Sequence, residues 1–177
     1  MRSPEEDEVV RHPLAAAIDR ATFLPAPLYV ISNALTWGAS RVFRHHFNVG
    51  ANEWRVLSAL SLRVGITASE ACKIRGIKKA IASMSIKSLR KKGLIVIEDK
   101  AGSKLIYLTR KGAEIHDAIV PIARARESIL LAGLNEQEIK QLFELVAAVE
   151  RQLPQLQAYD DAMAAGAPGE DFPEDAE

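Results

Sequence analysis

The apolar positions of this chain change period twice, and the changes mark out its elements. Leu28, Ile31, Leu35, Trp37, Val42 and Phe43 predict a helix over 28–47, covering more than one face as if buried between two partners. Before it, 13–24 (PLAAAIDRATFL) predicts a short helix interrupted by Pro25 and Pro27. After Gly50, Asn52 is placed to cap a helix over Glu53–Leu62, with Trp54, Val56, Leu57 and Leu60 as its apolar stripe. Thr67-Ala-Ser-Glu70 is a capping box that opens a short helix ending near Gly76. A further helix over about 78–92 turns Ile81, Ala82, Ser85, Ile86 and Leu89 inward and stops at Gly93.

The period then shortens to that of a strand. Leu94–Ile97 and Lys104–Leu108 are β-rich runs joined by Glu98–Ser103, with Ala-Gly at the tip, which is a hairpin signal. Thr109 caps a long helix over about 110–132, with a kink expected at Pro121. Asn135 caps another, whose Ile139, Leu142, Phe143, Val146, Val149 and Leu153 carry it to about Leu156. Helix, short helix, turn, basic helix and hairpin, in that order, make a winged helix-turn-helix. The expected fold is mainly α with a small β-hairpin wing: a winged helix-turn-helix domain plus a helical dimerisation region. Its divisions are an N-terminal arm (1–27), helical dimerisation segments (28–47 and 113–156), the winged domain (48–112) and an acidic, structureless tail (157–177).

Charge sharpens this picture. The 177 residues carry 23 Lys+Arg and 23 Asp+Glu, yet 73–111 holds twelve bases against two acids, leaving +10 there and −10 elsewhere. Asp160 to Glu177 has seven acids and no base. A basic middle on an acidic chain points to a polyanion surface; the alternative is a solvated helix face. On the basic helix Lys79, Ser83 and Lys87 fall at i, i+4 and i+8, opposite Ile81 and Leu89, as entry into a major groove about 12 Å wide requires. With Lys78 and Met84 beside them, and Lys100 and Lys104 on the hairpin, these are the expected DNA-binding residues.

Other chemistry is sparse. A single cysteine, Cys72, excludes an internal disulfide framework and a Cys-rich zinc site; it reads as a small buried side chain, with a redox sensor as the alternative. His45 and His46 diverge on a helix, and His12 and His116 are remote, so no metal is expected. No Gly-rich phosphate loop, nucleophile elbow or HExxH occurs, so neither an enzyme nor a cofactor is expected. No secretory signal is visible, and the uncharged run Ala21–Ser40 is too polar and too broken to span a membrane, which fits a cytoplasmic protein. Trp37, Arg41 and His45 share one helix face and Trp54 opens the next helix. Tryptophans with an arginine suit an aromatic carboxylate by stacking plus a charge-assisted hydrogen bond; the alternative is core packing and interface ion pairs.

Four runs together carry a resemblance: Glu53-Trp-Arg-Val-Leu57, Gly76–Gly93 ending Leu89-Arg-Lys-Lys-Gly-Leu94, Leu108-Thr-Arg-Lys-Gly112, and Gly133-Leu-Asn-Glu-Gln-Glu138. Over about 28–156 the chain resembles the MarR family of transcriptional regulators. The resemblance implies a homodimer built through its first and last helices, with two winged helices facing successive major grooves of a pseudo-palindrome. It also implies a pocket for a small aromatic acid or related anion, and a ligand-responsive regulator, in this reading a repressor. The apolar terminal helices independently suit a dimer. Two positions depart from the family pattern. Met84 follows Ser83 where many members have arginine, and Lys100-Ala-Gly102 stands where the wing usually has Asp-x-Arg. Hence the second reading: a winged-helix dimer that has lost specific DNA binding and acts through ligand or protein contacts.

Overall fold

The computed structural model describes residues 9–166. Its elements are α1 (Pro25–Phe47), α2 (Ala51–Leu62), α3 (Ala68–Arg75), α4 (Lys79–Lys91), β1 (Ile95–Lys100), β2 (Ser103–Leu108), α5 (Arg110–Leu131), α6 (Glu136–Glu150) and α7 (Leu153–Ala164). The chain divides between Ala123 and Arg124 into two compact units.

In the first unit, α2, α3 and α4 form the helix-turn-helix and β1–β2 the wing. Phe43, Val49, Val56, Leu57, Ile66, Leu89, Leu94, Ile95, Ile106 and Ile119 are its largest fully buried side chains. Both predicted features of α3 are present. Thr67 Oγ1 accepts from the Glu70 amide at 3.2 Å, and the Glu70 carboxylate accepts from the Thr67 amide at 2.9 Å. Gly76 (φ +57) then reverses the chain in the left-handed conformation. The hairpin is tighter than the sequence suggests: its antiparallel ladder reaches Lys100↔Ser103, leaving a two-residue turn. Ala101 (φ 52) and Gly102 (φ 77) both take positive φ, as the twist-matched hairpin turn demands. Ile106 donates its amide to Ile66 O at 2.9 Å, which pins the wing to the segment between α2 and α3.

Three N-terminal expectations need correction. Over 13–24 there are turns and no helix; the Asp19 carboxylate accepts from the Ala21 amide at 2.8 Å, a local bond that competes with helix formation. α1 starts at Pro25, whose missing N–H costs nothing in a first helical turn. α2 starts at Ala51 with Gly50 as its cap: the Glu53 carboxylate reaches back to the Gly50 amide at 2.6 Å, while Asn52 sits in the first turn and accepts from Arg55 at 3.4 Å.

In the second unit, Asn135 and Glu138 cap α6 reciprocally, at 3.0 and 2.8 Å. The expected single helix to Leu156 is two helices. Pro154 lacks an N–H and its ring would strike the carbonyl of Glu150 in a continuous helix, so α6 ends there and α7 begins with Pro154 in its first turn. α7 also makes 157–164 helical, so that part of the expected structureless tail is ordered as helix. Residues 1–8 of the arm and 167–177 of the tail lie outside the described residues.

Candidate nucleic-acid interface

The position of α4 follows from what holds its two ends. At its start, Arg55 on α2 donates to Arg75 O at 2.5 Å and to Gly76 O at 3.1 Å, serving carbonyls that the end of α3 leaves without helical partners. Arg75 in turn donates to Ser58 O at 3.3 Å and to the Ser58 hydroxyl. Burial pushes both guanidiniums below their ordinary pKa, and for Arg55 the Arg75 charge adds to it. At its far end, Lys92 donates to Glu53 at 2.6 Å and to Asn48 O at 2.7 Å. The helix is therefore clamped to α2 at both ends, and its inner face is filled by Ala82, Ser85, Ile86 and Leu89.

Its outer face is free. Lys78, Lys79, Ser83, Met84 and Lys87 are all exposed, Met84 by 66%. So are Ala80 and Lys91, which the i, i+4, i+8 count from Lys79 passes over. With the inner face fixed by Ser85 and Leu89, the helix's 3.6-residue period places Ala80, Met84, Lys87 and Lys91 along the line most directly opposite the core. On the wing, Lys100 and Lys104 are both exposed, but the ladder puts them on opposite faces of the ribbon. Lys104 stands across from Asp99, on the face of Ile95 and Ile97, and Lys100 stands across from Ser103 on the other face.

Of the four expected ligand residues, three stand on α1 and Trp54 on α2. Trp37 is 69% exposed, and Arg41 and His45 are exposed on the same side of α1. Trp54 is half-buried, set edge-on to the buried Phe43 at 5.5 Å, and its Nε1 is buried without a hydrogen-bond partner. Trp54 faces His116, a residue to which the sequence alone assigns no role. The His116 ring lies 6.4 Å from it at an interplanar angle of 17°. His116 Nδ1 is 2.9 Å from the Asp117 carboxylate and Nε2 is 3.2 Å from the Ser61 hydroxyl. These three line a cavity of about 320 Å³ with Leu60, Val64 and Tyr107. Only the helical spacing of Ala113, His116 and Asp117 on α5 hinted at this, and nothing in the sequence joins them to Ser61, fifty-five residues away.

The winged helix matches the sequence model of the MarR family over residues 47–104. The fold agrees across more of the chain. A MarR/EmrR family transcriptional regulator from Acinetobacter sp. ADP1 is 28% identical with a TM-score of 0.73, covering 78% of this chain and 99% of that one. The S. aureus MepR–DNA complex is 21% identical with a TM-score of 0.68, covering 76% and 99%. The PcaV regulator from Streptomyces coelicolor, solved with its natural ligand, is 20% identical with a TM-score of 0.66, covering 77% and 97%. No curated protein sequence matches the chain. The resemblance of the four runs to the MarR family therefore holds, and so does the winged-helix fold. Among the described residues, no helix is long and apolar enough to cross a membrane.

Proposed function

We propose that this chain is a cytoplasmic, ligand-responsive transcriptional regulator of the MarR family, acting as a repressor. It binds pseudo-palindromic duplex DNA as a homodimer, α4 in the major groove and the wing on the neighbouring backbone. The observation that carries the reading is the outer face of α4. A helix clamped at both ends and filled on one side presents Lys79, Ser83, Met84 and Lys87 outward, inside a window of charge +10. Lys78, Lys100 and Lys104 extend that field to phosphates on either side. MepR, one of the similar structures, is solved on DNA.

Two apolar surfaces support the dimer. In the first unit α1 leaves Leu28, Tyr29, Val30, Ile31 and Leu35 exposed; in the second unit α6 leaves Leu142, Phe143, Leu145, Val146 and Val149 exposed. Covering such stripes by a second copy, through 28–47 and 113–156, removes them from water. For the ligand we assign a small aromatic acid or related anion, with Trp37, Arg41, His45 and Trp54 as its recognition residues. One similar structure, PcaV, holds its natural ligand, and DNA binding by another, BpsR from Bordetella bronchiseptica, is regulated by 6-hydroxynicotinic acid.

Gel shifts of the full chain against the promoter beside its own gene and against unrelated duplex test this reading. A dimeric species that prefers the promoter supports it. Stable folded monomers of about 19.4 kDa in light scattering at micromolar concentration would remove the dimer. Equal or absent binding to both duplexes favours the second reading, to which the exposed Met84 at an arginine's usual place also speaks.

A further inference from the structure

We infer that Met84 reads a 5-methyl group in the major groove, so that each half-site of the operator carries thymine at the base pair beneath α4. The inference rests on the DNA-binding reading above and adds to it the chemistry of recognition. Ile81, Ile86 and Leu89 turn towards the core, whereas Met84 is 66% exposed on the opposite side, in the middle of the helix. Ala80 is exposed one turn earlier on the same line, so the centre of the face offers a methyl and a thioether side by side.

The neighbouring groups leave the sequence information to this apolar spot. The Ser83 hydroxyl donates and accepts equally well and so fits any base edge. Lys87 brings a point charge that lacks the fork needed to grip guanine in two places. Met84 donates no hydrogen bond. Pressed against guanine it would strip water from N7 and O6 and return nothing, which is unfavourable. Pressed against the thymine 5-methyl it buries one apolar group against another, and a flexible thioether adapts to the contact. 5-Methylcytosine presents the same methyl and is read in the same way; unmodified cytosine is not.

The test selects a binding duplex for the full chain from a random library, then remakes it with deoxyuridine for thymidine at each position in turn. Deoxyuridine removes the methyl and leaves the pairing intact. The expected loss is about 4-fold at one position per half-site, the ~0.8 kcal/mol of one buried carbon, and about 15-fold when both half-sites are changed. At that position 5-methylcytosine should bind about 4-fold tighter than cytosine. Met84→Ala should bind thymidine and deoxyuridine duplexes alike, whereas Lys87→Ala should weaken both equally and keep the difference. Indifference of the wild-type chain to the methyl at every position overturns the inference while the DNA-binding reading stands. Discrimination that survives Met84→Ala overturns the role of Met84. Absence of any duplex binding overturns both.

Discussion

The Lys92 ammonium lies 2.6 Å from the Glu53 carboxylate and joins the end of α4 to the start of α2. Glu53 keeps only 13% of its side chain exposed and Lys92 26%, so water screens the pair weakly. Burial alone would raise the Glu53 carboxyl, but hydrogen bonds from Lys92, Ser88 and the Gly50 amide outweigh it and hold its pKa below the ordinary 4.5. A carboxyl lowered by folding stabilises the fold fully above its unfolded pKa, and the effect is lost as pH falls through the lower folded value. Glu53→Gln should therefore cost about 1.5–3 kcal/mol at pH 7, and the gap to wild type should narrow below pH about 4.5. Urea melts across that range measure it. A gap that stays constant with pH would contradict the role assigned to the charge. Glu70 is also held low, chiefly by the Thr67 amide, so some acid sensitivity should remain in the variant.

Gly112 carries the second prediction. A Cβ on this residue of α5 would lie 2.0 Å from the carbonyl oxygen of Leu94, a backbone atom that also accepts the Thr109 amide at 3.1 Å. In an exposed helix, exchanging glycine for alanine gains up to about 1 kcal/mol. Here either the helix or the base of the wing must move, so Gly112→Ala should cost about 3 kcal/mol. Denaturant unfolding that shows a neutral or stabilised variant would mean that α5 can slide away from β1 freely.

Much of this arrangement is readable from the sequence, for local reasons. The Thr67–Glu70 box, the left-handed Gly76, the Asn135 cap and the β-rich runs 94–97 and 104–108 are all decided within a few residues. What the sequence leaves open is either a contest between two local signals or a contact with partners distant along the chain. Asn52 and Gly50 both suit a helix start; the Glu53 carboxylate decides for Gly50, whose amide donates to it at 2.6 Å. Pro154 reads equally as the interruption of one helix or the first turn of another. The Ser61–His116 contact and the stacking of His116 on Trp54 arise from the packing of α5 against α2, which helical periodicity on either element alone does not encode. The outer face of α4 is half legible: the lysines stand out, while Ala80 and Lys91 become visible only once the buried side is known.

Salt dependence tests the basic face as a whole. Each phosphate contact by Lys78, Lys79, Lys87, Lys100 or Lys104 in both subunits should steepen the fall of log K with log salt by about 0.9. Lys100 stands at the exposed end of β1, so Lys100→Ala should weaken all sequences alike and flatten the slope by about two units per dimer, one per subunit. Titrations at several salt concentrations that show no slope would reduce the +10 window to a solvated surface.

Met84→Arg separates stability from recognition. The position is 66% exposed, so a guanidinium there stays hydrated and the melting transition should shift by less than about 0.5 kcal/mol. Binding to duplex DNA should strengthen generally, with a new guanine preference of about 1–3 kcal/mol at one base pair per half-site. A large loss of thermal stability would instead mean that position 84 packs against something in the folded protein.

The last prediction concerns the ligand and uses the two tryptophans as separate reporters, since the chain has two. Trp54 is half-buried and stacked on His116 beside the cavity, while Trp37 is 69% exposed on α1 near Arg41 and His45. Trp37→Phe leaves Trp54 as the reporter, and Trp54→Phe leaves Trp37. A panel of aromatic acids and their thioesters should quench fluorescence and release DNA in the same order of potency. Release by ~100-fold requires about 2.7 kcal/mol of difference in ligand affinity between the free and the DNA-bound protein, because a ligand that binds both equally shifts nothing. Arg41→Ala should abolish release and leave DNA affinity nearly unchanged, since Arg41 lies on α1 and not on α4 or the wing. Quenching seen only through Trp54 and unaffected by Arg41→Ala would move the site to the Ser61–His116 cavity, whose His116 ring stacks on Trp54. If the whole panel leaves both reporters and the gel shift unchanged, aromatic acids are not the effector and the two tryptophans serve packing alone.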